Sequence, residues 1–327
     1  MPNAETIGSL GESESLRRTI SRLNTSKYAI VGPGDDSAVI EASDGKFVVT
    51  TDTLVEDHDF KLSWSTGYDL GWKAVASNLA DVAAMGAVPT ALVVALTAPA
   101  ETQISWLESF ADGLRDACEK LAPGCAVVGG DLAASNQVMI SVAAHGGLEG
   151  RAPVVRSGAQ VGDIVAVAGT LGRAAAGLAL LQSENGDAIN AYDDWVNVQR
   201  RPQPPIAAGV EAATAGATSM LDVSDGLAKD ASRISKASKV TIQLDPQQLQ
   251  GFEAVLEEAA RAIDAHAAAW VLSGGEDHSL LATFPHDAKI PRAFKPIGVV
   301  LPEGPAPVML GASPINDQGW DSVTGNS

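Results

Sequence analysis

Phe47-Val48-Val49-Thr50-Thr51-Asp52 is an apolar, strand-like run that ends on an acid, and the arrangement returns three times along the chain. Ala126-Val127-Val128 leads into Gly129-Gly130-Asp131, and Met220-Leu221 into Asp222-Val223-Ser224-Asp225. Trp270-Val271-Leu272 leads into Ser273-Gly274-Gly275-Glu276-Asp277. The pair Asp35-Asp36 after Gly32-Pro33-Gly34, and Asp81 near the end of a helix-like stretch, extend the set. Carboxylates presented from strand ends and glycine turns can converge on one cleft, where they repel unless cations sit between them. The pattern points to a multi-magnesium phosphate site built without a lysine-bearing phosphate loop.

Around these runs, hydrophobic periodicity predicts interleaved elements. Ser13 to Leu23 reads as a short amphipathic helix, with Leu16, Ile20 and Leu23 on one face. Ala38-Val39-Ile40 and Lys46 to Thr51 read as strands joined by the turn Ser43-Asp44-Gly45. Asp69 to Met85 reads as a helix with Asp69 as its cap, Gly86 as its stop, and Asn78 and Asp81 on a shared face. Pro89 to Leu96, Ala126 to Val128, Val138 to Ala144 and Gly162 to Val167 read as strands, and Glu101 to Leu121, Gly172 to Leu181, Leu227 to Ala237 and Gly251 to Ala268 as helices. Asn185 to Asp194 is expected as a polar loop, and Trp270 to Leu272 as a strand before the last glycine turn. Mixed α/β layers follow in both halves, an α+β chain of two domains divided at Gly146-Gly147-Leu148-Glu149-Gly150 into 1–150 and 151–327.

Composition narrows the function classes. A length of 327 residues suits two domains that each bury a core. A net charge of −18 offers no basic field for a nucleic acid or an anionic membrane. Cys118 and Cys125 form neither a metal spacing nor a disulfide framework, which suits a reducing compartment. Without a basic leader or an apolar run long enough for a membrane span, a cytoplasmic location is expected. No G-x-x-x-x-G-K-[ST] or G-x-G-x-x-G string occurs, and the five histidines lie outside zinc spacing.

Each acidic string also has a plainer reading. Gly34-Asp35-Asp36-Ser37-Ala38 fits a simple turn, Asp225-Gly226 a helix entry capped by Ser224 or Asp225, and Asp81 a solvated helix residue. Turn chemistry alone, however, would accept Asn or Ser as readily as this succession of acids.

Taken in order, Gly34-Asp35-Asp36-Ser37-Ala38, Thr50-Thr51-Asp52-Thr53-Leu54-Val55-Glu56, Asn78-Leu79-Ala80-Asp81, Gly129-Gly130-Asp131, Asp222-Val223-Ser224-Asp225-Gly226 and Ser273-Gly274-Gly275-Glu276-Asp277 carry a family resemblance. The chain resembles the thiamine-monophosphate kinases, part of the ATP-binding superfamily that includes aminoimidazole ribonucleotide synthetase. The resemblance runs from about Gly32 to Trp320. It implies a homodimer joined through a sheet- and barrel-forming N-terminal domain, with a C-terminal α/β domain completing the site. It implies magnesium ligands at Asp36, Thr50, Thr51, Asp52, Asp81, Asp131, Asp222 and Asp225. It places ATP against Gly130, Asp131, Arg156, Ser224 and Phe110, and thiamine monophosphate against Asp59, Glu276 and Trp320. Asp59 stands where some members carry histidine, so His58 beside it is an alternative. Leu132 and His278 stand where threonine and tyrosine are common.

Arg156 also fits a solvated loop, and Trp320 a core or lid residue, although an aromatic face suits a cationic thiazolium ring. The implied reaction has the substrate phosphate attacking the γ-phosphorus of ATP. That phosphate is largely ionised near neutrality, so no general base and no covalent nucleophile are expected. An aminoimidazole ribonucleotide synthetase-like ligase and a non-catalytic nucleotide-binding regulator are the rival readings.

Overall fold

A computed structural model describes residues 5–32, 38–316, 319 and 320. The chain forms two compact units: Met1–Val82 with Val88–Gly150, and Ala83–Ala87 with Arg151–Ser327.

The first unit contains helices α1 (Ile7–Leu10) and α2 (Glu12–Ile20), strands β1 (Ala29–Val31), β2 (Val39–Ile40) and β3 (Phe47–Val55), and helix α3 (Gly67–Ala84). It continues with β4 (Val88–Ala98), α4 (Ile104–Leu121), β5 (Ala126–Ala134) and β6 (Met139–Gly147). Its main sheet has the order β3-β6-β4-β5, so β3 and β5 are the two edges. Alternation along the strands sends Leu54, Val94, Leu96, Ile140 and Val142 into the core. Phe47 and Val49 on the opposite face are 60% and 59% exposed.

Helix α3 starts at a capping box: the Asp69 carboxylate accepts the Thr66 amide at 2.9 Å, and the Thr66 hydroxyl accepts the Asp69 amide at 3.2 Å. Asp69 thus supports the start from inside the helix rather than as its cap. Leu70, Val75, Leu79 and Val82 form the buried stripe. Helices α3 and α4 approach through glycines. A Cβ at Gly71 would lie 2.2 Å from the Phe110 carbonyl, and one at Gly113 2.1 Å from that of Tyr68.

The second unit opens with a 3₁₀ turn (Arg156–Gly158), β7 (Ile164–Ala168), α5 (Arg173–Gln182), α6 (Gly186–Ala191), α7 (Asp193–Arg200) and α8 (Ile206–Thr214). It continues with β8 (Ser219–Val223), α9 (Leu227–Ser238), β9 (Val240–Leu244), α10 (Pro246–Glu253), α11 (Glu257–Ala262) and α12 (Ala267–Ser273). Strands β10 (Ser279–Phe284), β11 (Phe294–Pro302), β12 (Val308–Leu310) and β13 (Ser313–Pro314) complete it. They join in the order β13-β12-β9-β11-β7-β10-β8, over a core that includes Val165, Val167, Leu221, Ile234, Leu244, Val271 and Leu281. Both units are therefore mixed α/β structures. Among the described residues no helix is long and apolar enough to cross a membrane.

Several sequence expectations are corrected. Asp52, Asp131 and Asp222 lie inside β3, β5 and β8 rather than beyond their ends. Gly129-Gly130 continues β5 because its backbone lies against β4; a Cβ at Gly130 would meet the Val94 carbonyl at 2.1 Å. Trp270 to Leu272 is helical, since three apolar residues do not distinguish strand from helix and Ala267-Ala268-Ala269 favours helix. Asn185 to Asp194 is mostly helical, with the Asn185 side chain accepting the Ala188 amide at 3.2 Å. The stretch Gly251 to Ala268 is broken between α10, α11 and α12, with Asp264 left-handed at φ 54°. β2 pairs with β1, and β3 pairs with β6, so the two predicted neighbours do not form a hairpin.

Gly113→Ala tests the α3–α4 contact. Helix propensity alone favours alanine by about 1 kcal/mol. The clash with a backbone carbonyl should reverse that and leave a net loss of roughly 1–3 kcal/mol. Urea unfolding of the variant reads the sign directly.

Candidate functional site

In the first unit, β3 turns Thr50 and Asp52 toward α3. The Thr50 hydroxyl donates to Asp81 Oδ2 at 2.8 Å, and the Asp52 amide donates to Asn78 Oδ1 at 3.2 Å. Asn78 in turn donates to the Ala74 carbonyl at 2.9 Å. β3 is an edge strand, and α3 thereby supplies an acceptor to a backbone amide on its unpaired side. Thr51 points to the opposite face, where its hydroxyl donates to the Val142 carbonyl at 2.8 Å. Asp131 is exposed on β5, at the other edge of the sheet. Register sets Asp52, Val142, Val94 and Gly130 in one row, so three strand spacings of ~4.8 Å put β5 about 14 Å from β3.

Within neither unit do three acidic, histidine or cysteine side chains come together as a metal cluster among the described residues. Thr50 and Asp81 meet, with the Asp52 backbone held to Asn78 on the same helix, whereas Asp131 and the Thr51 side chain stand apart from them. Asp36 lies outside the described residues.

Beside Asp131 opens a cavity of about 860 Å³, lined by Leu16, Ile20, Tyr28, Ile40, Phe110 and Gly130 among others. Phe110 is buried and stacks on Trp106 at 5.8 Å between ring centroids. Elsewhere in the unit, Asp59 is already engaged: Oδ2 accepts the Val55 amide at 2.8 Å, and Oδ1 lies 3.0 Å from His58 Nδ1.

In the second unit two turns are zipped together. The Glu276 amide donates to the Ser224 carbonyl at 2.9 Å and the His278 amide to that of Val223 at 3.1 Å. Glycine permits this closeness; a Cβ at Gly275 would stand 2.3 Å from the Ser224 carbonyl. Glu276 and His278 are left-handed, at φ 66° and 50°, conformations that non-glycine residues hold only when their surroundings enforce them. Glu276 Oε2 accepts from buried Gln199 at 2.6 Å. The Trp320 amide donates to the Asp225 carbonyl at 3.0 Å, and Lys229 Nζ to the Trp320 carbonyl.

The carboxylates here differ in their support. Asp225 is paired with Arg233 and, at 3.3 Å, with Lys229. Buried Asp230 accepts the Asp225 and Gly226 amides at 3.0 and 3.1 Å and also pairs with Arg233. Burial is the main cause that raises Asp230 to about 7, opposed by Arg233. Gly226, rather than Ser224 or Asp225, is the N-cap of α9. Asp222 lies 3.3 Å from the His278 ring. Arg156 is exposed, and its carbonyl accepts the Ser238 hydroxyl at 2.9 Å.

Asp230, Lys229, Gln199 and Asp277 carry parts of this site that sequence reasoning missed or set aside. The spacing of Asp230 and Lys229 after Asp225, one helical turn on, was the available signal for two of them.

Asp277 accepts from the Thr170 hydroxyl at 2.6 Å and faces the first amides of α5. Burial nevertheless raises it from 3.8 to about 6. A carboxyl raised on folding stabilises the fold fully below its unfolded pKa and loses that contribution as pH rises through the folded value. Wild type should therefore lose roughly 3 kcal/mol relative to Asp277→Asn between about pH 4 and pH 6–7, then run parallel to it. Urea unfolding of both proteins across that range tests the sign.

The chain can now be set beside known proteins. The family model "AIR synthase related protein, N-terminal domain" matches residues 34–148. The thiamine-monophosphate kinase of Mycobacterium tuberculosis is 43% identical over 321 residues, 97% of this chain and 93% of that protein. That of Corynebacterium glutamicum is 38% identical over 299 residues, covering 90% and 87%. A solved structure, AaThiL complexed with AMPPCP and TMP, shares 31% identity at a TM-score of 0.77, covering 95% of this chain and 96% of that one.

Proposed function

Because the chain belongs to the thiamine-monophosphate kinase family, we propose roles in phosphoryl transfer for the residues described in each unit. The protein phosphorylates thiamine monophosphate with ATP as co-substrate. The proposal concerns which residues do this, with which metal, and in what assembly.

The donor set of Thr50, Asp52, Asp81, Asp131, Asp222 and Asp225 is all oxygen, which fits magnesium and not zinc or copper. Thr50 and Asp81 already share a hydrogen bond, so an ion between β3 and α3 would find neighbouring oxygens. Asp225, paired with Arg233 and Lys229, is the poorer ligand; its first role is to anchor the C-terminal segment at Trp320. Thr51 would reach an ion on the Asp52 side through its backbone. Bound magnesium supplies positive charge between two polyanions and orients the reacting oxygens.

The chain's own residues bind and align. The apolar cavity beside Gly130 and Asp131 takes the nucleotide base, with Phe110 in its wall. Arg156 offers the phosphates a fixed charge, and Ser224 a polar contact. Glu276, held by Gln199, and Trp320, held by its backbone, face the thiamine moiety. Asp59 is turned inward to Val55 and His58, so His58 makes the substrate contact and Asp59 orients it. No proton acceptor is required, because the attacking phosphate is already ionised.

The observation that carries the assembly is the strand order. Asp52 and Asp131 stand on opposite edges of one sheet, while Phe47, Val49 and Val93 leave its outer face apolar and exposed. A second copy laid on that face covers it and brings the β5 edge of one protomer to the β3 edge of the other, giving a homodimer with shared sites. The location that fits this chemistry is the cytoplasm.

Asp52→Asn should lower kcat by roughly 10²–10³ at saturating magnesium with the circular dichroism spectrum unchanged. A rate near wild type would sink the metal assignment. Thiamine diphosphate formation from ATP and thiamine monophosphate, with and without magnesium, is the assay. Shared sites make a second demand. Mixing inactive Asp52→Asn and Asp131→Asn subunits should restore up to about a quarter of wild-type activity, since half the dimers are hybrids with one intact site. Mixtures as inactive as their components would place both residues in one protomer's site.

A further inference from the structure

Asp222 sits within β8, every residue of which is buried. Its Oδ2 lies 3.3 Å from Nδ1 of His278, and both side chains are under a tenth exposed. A carboxylate only accepts, so Nδ1 carries the proton and donates. At this length the bond is weak, and its value lies in direction rather than strength.

The backbone explains how the ring arrives. β10 pairs with β8 so that Leu280 stands opposite Asp222. His278 is two residues earlier, just before β10 begins, and its ring reaches back to the Asp222 carboxylate. It is also left-handed, at φ 50°, a conformation that costs a non-glycine residue about 1–2 kcal/mol. Bonds on both sides hold it there: its amide donates to the Val223 carbonyl, and Asp277 before it is fastened to Thr170.

We infer that His278 is a positioning residue: its Nδ1–H holds Oδ2 of Asp222, fixing the direction in which the carboxylate offers Oδ1 to the metal. This rests on the magnesium reading above. A buried aspartate without such a partner rotates about its terminal torsion, and ordering it would weaken the metal site. Outer partners of this kind contribute 10–100-fold to metal affinity where they have been removed. A residue that merely filled space would do so without a donor.

Phenylalanine keeps the ring's bulk and loses the donor, whereas asparagine suits the left-handed backbone and carries an N–H near the position of Nδ1. Manganese binding is measured by electron paramagnetic resonance, with and without a non-hydrolysable ATP analogue. His278→Phe should weaken manganese binding about tenfold, and His278→Asn should stay within about threefold of wild type. The magnesium concentration for half-maximal turnover should move in parallel, with kcat at saturation largely kept. Equal manganese affinity in wild type and His278→Phe, or equal losses in the Phe and Asn variants, overturns the inference. If His278→Phe does not fold, His278→Gly, which relieves the backbone and removes the donor, is judged by the same criterion. Wild type that binds no manganese in either condition overturns the magnesium reading and this inference with it. Wild type that binds while the variants do not differ overturns this inference alone.

Discussion

Like-charge repulsion is the constraint on which the site depends. The chain carries 40 acidic against 22 basic residues, and it still buries Asp222, Asp225, Asp230 and Asp277 within its second unit. Each is compensated differently. Asp277 takes a hydroxyl and the start of a helix, Asp230 two backbone amides and an arginine, and Asp225 an arginine and a lysine. Asp222 has the His278 ring, and no arginine or lysine pairs with it among the described residues. A cation would find at Asp222 a buried carboxylate that no basic side chain already holds.

Glycine makes these arrangements possible at two points that differ in kind. At Gly275 it lets one turn lie against the Ser224 carbonyl, bringing Glu276 and His278 onto β8. At Gly71 and Gly113 it lets α3 and α4 close onto each other. Helix α3 carries Asn78 and Asp81, so its seating decides whether those side chains reach β3. Packing between helices is thereby tied to the placement of Asn78 and Asp81 against β3.

Much of this was legible in the chain. The helical stripe of α3 and the shared face of Asn78 and Asp81 follow from spacing, and both are observed. What misled was the boundary of each strand. Glycine and aspartate signal turns, yet Gly129, Gly130, Asp131 and Asp52 continue their strands, because pairing to neighbours far away in sequence overrides local preference. Trp270 to Leu272 failed for the complementary reason: a three-residue apolar run has no period to read. Strand order, which separates Asp52 from Asp131, leaves no local signal at all.

The misread boundaries have a functional sense. A carboxylate on a loop tip moves with the loop, whereas one inside a strand inherits the rigidity of the ladder on which it stands. Asp52 is fixed through Val142 on one side and Asn78 on the other, and Asp222 through Leu280 and His278. Transfer between two ionised phosphates needs little proton chemistry and much alignment, so the groups that set distance should be the least mobile. Those proposed to recognise the organic substrate are carried on turns: Glu276 stands on a left-handed one and Trp320 on a segment tied back to Asp225. On the proposed roles, the division between strand-borne acids and turn-borne contacts is the division between positioning the reaction and choosing its substrate.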